Sequence, residues 1–199
     1  MGLTDNFLLE EIILENSRVI LRPLKKEDLE NLDAVAYEKQ IWEMGLSKIT
    51  GSVELETYIN TAREEKSAGQ SYPFIIFDKS LQSYAGSTRY MNISIPHKRL
   101  EIGSTWVNPK FQGTGLNKAC KFELLQFAFE KLQFNRVELK TDVLNQQSRK
   151  AILKIGAREE GIFRSHFITS TGRIRDSIYF SIIASEWPAI KNSIFAEYL

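Results

Sequence analysis

Phe111-Gln112-Gly113-Thr114-Gly115-Leu116-Asn117 sets two glycines between an apolar strand candidate and a helix candidate, an order suited to holding a phosphate. Glycine adopts positive φ and lets backbone approach a ligand closely. The unpaired N–H groups of a first helical turn, with about half a positive charge from the helix dipole, then point at the anion. Taken alone, a glycine pair is equally compatible with a tight turn. Residue type excludes two other phosphate loops. A Walker loop ends in Gly-Lys-Ser or Gly-Lys-Thr where this chain has Asn117-Lys118, and a dinucleotide fingerprint needs three glycines at another spacing.

Three polar residues near this run carry further chemistry. Glu101 opens the strand that leads to the loop, eleven positions before Gln112, and strict alternation sets it on one face with Gly103, Thr105 and Val107. It reads equally as a solvated strand end. Asn145 starts a helix, where its minimal role is an N-cap accepting from the N–H of Gln147 or Ser148. Ser148 shares a face with Ile152 and Ile155 and so points inward; its hydroxyl needs a partner, and the carbonyl of Leu144 is one choice. His97 and His166 lack acidic company, so no metal site is expected. Lys118, Lys121, Arg149 and Lys150 read as a solvated helix face, with Arg149 or Lys150 able to meet a phosphate.

Composition narrows the class. The 199 residues, 43% hydrophobic and 26% charged, fit one domain over 1–199 that buries roughly 70% of its unfolded surface. Lys plus Arg total 26 against 25 Asp plus Glu, so no global field draws the chain to nucleic acid or a membrane. Cys120 is the single cysteine, which excludes an internal disulfide and reads as packing. The first sixteen residues carry Asp5, Glu10, Glu11 and Glu15 and do not read as a signal peptide. Gly2 would suit myristoylation, but Asn6 stands where Ser or Thr is wanted. With no membrane-spanning run, the expected location is cytoplasmic.

The elements that must position these residues are mixed α/β. Strands are predicted over 18–24, 72–77, 84–95, 100–107, 136–143, 161–168 and 174–184. Helices are predicted over 25–38, 53–67, 116–132 and 145–155, the last ended by Gly156. The helix over 116–132 is apolar on more than one side. The core spans about 18–184, with 1–16 as an N-terminal extension and a short helix or extension from 186.

Gln112, Gly115 and their spacing between strand and long helix resemble the acyl-CoA loop of the GNAT superfamily of N-acetyltransferases, Gln/Arg-x-x-Gly-x-Gly/Ala, with Asn117 departing from the final small residue. Trp106-Val107-Asn108-Pro109, Asn145-Gln146-Gln147-Ser148 and Gly156-Ala157 are similar to the RimJ/RimL type of ribosomal-protein N-terminal acetyltransferase. The resemblance runs over about 18–183. It implies a twisted, mostly antiparallel sheet of about seven strands with flanking helices and a splayed strand pair that binds CoA. It implies acetyl-CoA as co-substrate, no metal, and an amine acceptor that is a peptide N-terminus or a small molecule. The cofactor contacts it implies are main-chain groups of Trp106 and Val107, the loop Gln112, Gly113, Thr114, Gly115, Leu116 and Asn117, then Asn145, Ser148 and Arg149. Many members place a Tyr where this chain has Ile152, and the resemblance assigns Ser148 to the departing thiolate instead. Glu101 matches the general base of histone-type members. A catalytically silent CoA-binding module is the alternative. Acceptor-side candidates are Trp42, Tyr72, Arg89, Phe163, Arg164 and Arg175; a homodimer is left open.

Overall fold

The computed structural model describes residues 7–199; Gly2, Asp5 and Asn6 lie outside them. Strands β1 (Leu14–Glu15), β2 (Val19–Pro23), β3 (Ser71–Asp78), β4 (Ser83–Ser94), β5 (Arg99–Val107), β6 (Arg136–Asp142), β7 (Arg158–Ile168) and β8 (Ile174–Ile183) form one eight-stranded sheet in the order β1-β2-β3-β4-β5-β6-β8-β7. Only β5 and β6 run parallel. The strand beyond the expected seven is β1, within the stretch read as an extension: Leu14 is buried, and Glu15 faces Lys79 in an ion pair.

Among the described residues six α-helices flank the sheet: α1 (Asp28–Asp33), α2 (Lys39–Trp42), α3 (Ser52–Ser67), α4 (Leu116–Gln126), α5 (Gln146–Lys154) and α6 (Trp187–Ile194). Two of them show which face is which. On one face Arg89 of β4 pairs with Glu65 of α3 at 2.7 Å. On the other, the Tyr90 hydroxyl donates to the Leu124 carbonyl of α4 at 2.6 Å. Both faces of β3 are buried along its run Tyr72 to Ile76, whereas β4 buries Ser87, Thr88 and Arg89 beside Ala85 and Tyr90.

The helix expected over 25–38 is the clearest departure. It stops at Asp33, and the indole N–H of Trp42 donates to the Ala36 carbonyl at 2.7 Å, holding the chain in its new direction. Val35 and Ala36 are still buried, so the pattern marked core correctly and its conformation incorrectly. The long helix after the glycines is buried on several sides, as its composition required, and ends in a π-helical turn over Phe127–Lys131. That burial extends to Lys121, 5% exposed, and so overturns its reading as part of a solvated face.

Candidate active site

The site is built where β5 and β6 part. Their ladder is short, pairing Arg99, Leu100 and Glu101 with Arg136, Val137 and Glu138, and beyond Glu101 the two strands share no register. Each continues to a different partner, β4 or β8, so main-chain groups of β5 line an opening in the sheet.

A bulge in β5 shapes that opening. Ser87 faces Trp106 and Arg89 faces Gly103, so three steps on β5 answer two on β4, and Ser104 takes φ +44°. The extra residue breaks the alternation expected from Glu101 to Val107. Thr105 turns to α4, where its Oγ1 accepts from Lys121 Nζ at 2.8 Å and lies 2.7 Å from Thr88 Oγ1. The strands are so close here that a Cβ on Gly86 would stand 2.0 Å from the Trp106 carbonyl oxygen. The Trp106 indole packs among Trp42 and Tyr58 and donates to Tyr58 Oη at 3.1 Å, while its carbonyl faces Gly86 of β4.

Past Val107 the chain makes a short turn over Pro109–Phe111, capped by Asn108 Oδ1 on the Lys110 N–H at 3.1 Å. Gly113 and Gly115 then take φ +74° and +86°, the left-handed conformation their sequence position called for. A Cβ at either would meet nothing within 4 Å, so the space above the loop is open. The first helical bond is Ala119 N–H to Gly115 O, and the N–H groups of Asn117 and Lys118 have no partner among the described residues. Open space over unpaired donors fits an anionic group such as a pyrophosphate.

One loop contact has no local signal in the sequence. Arg18 Nη2, ion-paired with buried Asp78 at 2.8 Å, also reaches Thr114 Oγ1 at 3.2 Å, and Thr114 in turn donates to the Phe111 carbonyl at 2.7 Å. Lys118 turns away from the loop to Glu197. Gln112 spans the mouth of the opening: Nε2 donates to the Val107 carbonyl at 3.3 Å, and Oε1 accepts from Gln147 of α5 at 2.9 Å.

Across the opening, Asn145 caps α5 as expected, its Oδ1 accepting from the Ser148 N–H at 2.9 Å. Ile152 and Ile155 are buried below Ser148, which is half-buried, and its hydroxyl makes no back-bond to Leu144. Arg149 Nη1 donates to the Val143 carbonyl at 3.2 Å, tying α5 to the end of β6. Glu101 is 2% exposed; its Oε2 accepts from Lys140 Nζ and Asn92 Nδ2, both at 2.8 Å, and its Oε1 has no hydrogen-bond partner among the described residues. It is therefore a buried, oriented carboxylate rather than a solvated strand end.

The acceptor-side candidates divide. Tyr72 is fully buried under the N-terminal segment, bonded to Ile12 N–H and Glu10 O. Arg89 is held by Glu65 and Trp42 by Ala36, so these three are packing residues. Phe163, Arg164 and Arg175 lie on the β7–β8 hairpin, and Phe163 lines an open groove with Asn92, Glu101, Glu138 and Tyr179. Among the described residues no cluster of His, Cys, Asp and Glu is placed to hold a metal, and no helix is long and apolar enough to cross a membrane.

The family model described as Acetyltransferase (GNAT) domain matches residues 18–158. The chain belongs to the GNAT acetyltransferase family. A candidate ribosomal N-acetyltransferase of Bacillus subtilis, YdaF, is 32% identical over 117 residues, covering 59% of this chain and 61% of that protein. The match thus spans about three fifths of that relative's length. A GCN5-related N-acetyltransferase from Brucella melitensis superposes with a TM-score of 0.86 at 29% identity, over 96% of this chain and 86% of its own. RimJ of Mycobacterium smegmatis, described in complex with CoA-disulfide, shares the fold at 22% identity and a TM-score of 0.80, over 94% and 96% of the two chains. In this GNAT protein the family match contains the loop, the β5–β6 opening, Asn145 and Ser148, and stops before Phe163 and Arg175.

Proposed function

We propose that the protein is an acetyl-CoA-dependent N-acetyltransferase that transfers acetyl directly to a primary amine, a peptide α-amine or a small molecule, within a ternary complex. The observation that carries this reading is the parting of β5 and β6 beside a loop whose two left-handed glycines leave helix N–H groups unpaired under open space. When bound, acetyl-CoA supplies an activated acyl thioester. The chain's own groups do the rest.

The N–H groups at Leu116, Asn117 and Lys118 take the pyrophosphate, with Gly113, Thr114 and Gly115 supplying the curve and Arg18 holding Thr114. Gln112 gives up the Val107 carbonyl to the pantetheine arm, which Trp106, Val107 and Asn145 also bind. An N–H of the bulged strand near Val107 polarises the thioester carbonyl. Arg149 keeps α5 fixed so that Asn145 and Ser148 face the opening.

Transfer forms the N–C bond and breaks the C–S bond. The amine proton goes to Glu101 Oε1, directly or through one water. Ser148 Oγ donates a hydrogen bond to the departing sulfur, which takes its proton from solvent. An α-amine, with a reference pKa near 7.7–8.0 against 10.4 for a lysine-like amine, presents about several hundred times more neutral nucleophile at pH 7 and demands correspondingly less of Glu101. Cys120 supports the direct route: it is fully buried and its thiol is pushed up to about 12 by that burial, which disables it as a nucleophile.

The test is thiol release from acetyl-CoA over a panel of peptide N-termini and small amines. Release with one class is expected, with losses of about 10²–10⁴-fold in Glu101→Gln and smaller losses in Ser148→Ala, both retaining CoA affinity. Coenzyme binding without thiol release for every amine would instead indicate a catalytically silent CoA-binding module.

A further inference from the structure

Beyond the family match, the β7–β8 hairpin presents a cation that no direct ion pair answers among the described residues, with Asp142 and Glu101 favouring its charge from a distance. Arg175 is 7% exposed, and its only hydrogen bond joins Nε to Ser177 Oγ at 3.1 Å. Its two terminal nitrogens have no partner among the described residues, and it enters no ion pair. The Phe167 ring lies beside it, 5.7 Å from Arg175 Cζ and 5.5 Å from Lys140 Nζ.

The neighbouring charges are balanced among themselves. Lys140 is paired with Glu101, and Arg173 with Asp142. The Asp142 carboxylate also accepts from the Leu144 N–H at 2.9 Å, so both its oxygens are engaged although it lies near enough to favour the Arg175 charge. His166, whose Nδ1 is buried without a partner, is held below the usual imidazole value by burial and then by Lys140 and Arg175, so it adds no further charge at neutral pH. A guanidinium stays protonated under any condition in a protein, and the Arg175 fork, without a protein partner among the described residues, keeps contact with solvent at the end of a largely buried side chain. Its unused fork matches a carboxylate in two parallel hydrogen bonds.

Alternation places Arg175, Ser177 and Tyr179 on one face of β8, and Tyr179 borders the groove that contains Glu101. From these observations, and resting on the acetyltransferase reading above, we propose that Arg175 receives a carboxylate carried by the acceptor, so that the preferred amines are amino acids or peptides with an acidic group close to the reacting nitrogen. Arg175 itself disfavours polyamines and aminoglycosides, whose added positive charge would meet it without a counter-ion.

The experiment compares acceptors that differ only in carboxylate against carboxamide: free amino acids against their amides, and short peptides with Asp or Glu near the N-terminus against Asn or Gln. A bidentate charged contact predicts a preference for the acid of about 10–100-fold in kcat/KM, carried by KM. The two series separate a free amino acid from an acidic peptide as the source of the anion. Arg175→Met is expected to bring the acid-to-amide ratio near one, and Arg175→Lys to restore part of it. Calorimetric binding of the same pairs to the CoA-loaded protein gives a reading independent of turnover. Equal use and equal binding of acid and amide by the unaltered protein, or an unchanged ratio in folded Arg175→Met, overturns the proposal. Acid-selective binding with no thiol release from any amine would leave Arg175 as an anion receptor while removing the transferase reading.

Discussion

Replacing Lys121 by Met should stabilise the protein at neutral pH and remove part of its response to alkali. The Lys121 ammonium is 5% exposed, has Thr105 Oγ1 as its hydrogen-bond partner and is in no ion pair among the described residues. Burial lowers its pKa from 10.5 to about 8. Below pH 8 the folded protein carries the full cost of that buried charge. Between pH 8 and the unfolded value near 10.5 the unfolded chain holds a proton the folded one has released, so stability rises with pH. The slope approaches about 1.4 kcal/mol per pH unit, and from pH 8 to 9 it integrates to about 1 kcal/mol. Above pH 9 the sign reverses for Cys120, whose folded thiol titrates at about 12 while the unfolded thiol titrates near 9, so the clean window closes there. Lys121→Met removes a charge cost of up to about 3 kcal/mol and one hydrogen bond of about 1 kcal/mol. A gain of about 2 kcal/mol at pH 7 follows, or about 4–8 °C in Tm for a chain of this size. Urea melts at pH 7, 8 and 9 read both quantities. A variant less stable than the parent at pH 7, or one that keeps the parent's rise between pH 8 and 9, would refute the reasoning.

Two further substitutions probe the scaffold of the opening. Gly86→Ala should lose about 3 kcal/mol or more, because its Cβ would stand 2.0 Å from a backbone oxygen that can retreat only by moving β5; thermal melts check this. Arg18→Met should weaken acetyl-CoA binding by about 3–10-fold in calorimetry, since Thr114 loses its tether, and should lower Tm because Asp78 keeps a buried charge with only the Ser80 and Leu81 N–H groups to answer it.

How far the sequence reaches depends on whether a feature is local. The glycine loop, the Asn145 cap and the Gly156 terminus were legible because a short run of residue types specifies each. The strands were legible within one or two residues for the same reason, except β7, which begins three residues earlier, at Arg158, than its expected start at Gly161, and the two-residue β1, too short to show a period. The bulge at Ser104 was not, because Ser carries no mark of positive φ, and every face assignment beyond it changed with that one extra residue. Arg18 on Thr114, Lys121 under Thr105 and Gln112 on Gln147 join positions far apart in the chain and are set by packing. Lys121 shows the limit most plainly: periodicity could not tell a solvated lysine from one buried on a helix that is apolar on more than one side.

The central claim is that the N–H groups opened by Gly113 and Gly115 hold the pyrophosphate of acetyl-CoA, and calorimetric titration of that ligand into Gly115→Asp and Gly115→Asn tests it most directly. Both side chains impose a similar strain at φ +86°, both have open space, and they differ in charge. Asp binding at least about tenfold more weakly than Asn, with both variants folded, is the predicted result. Asp, Asn and parent binding alike would contradict it and move the coenzyme elsewhere.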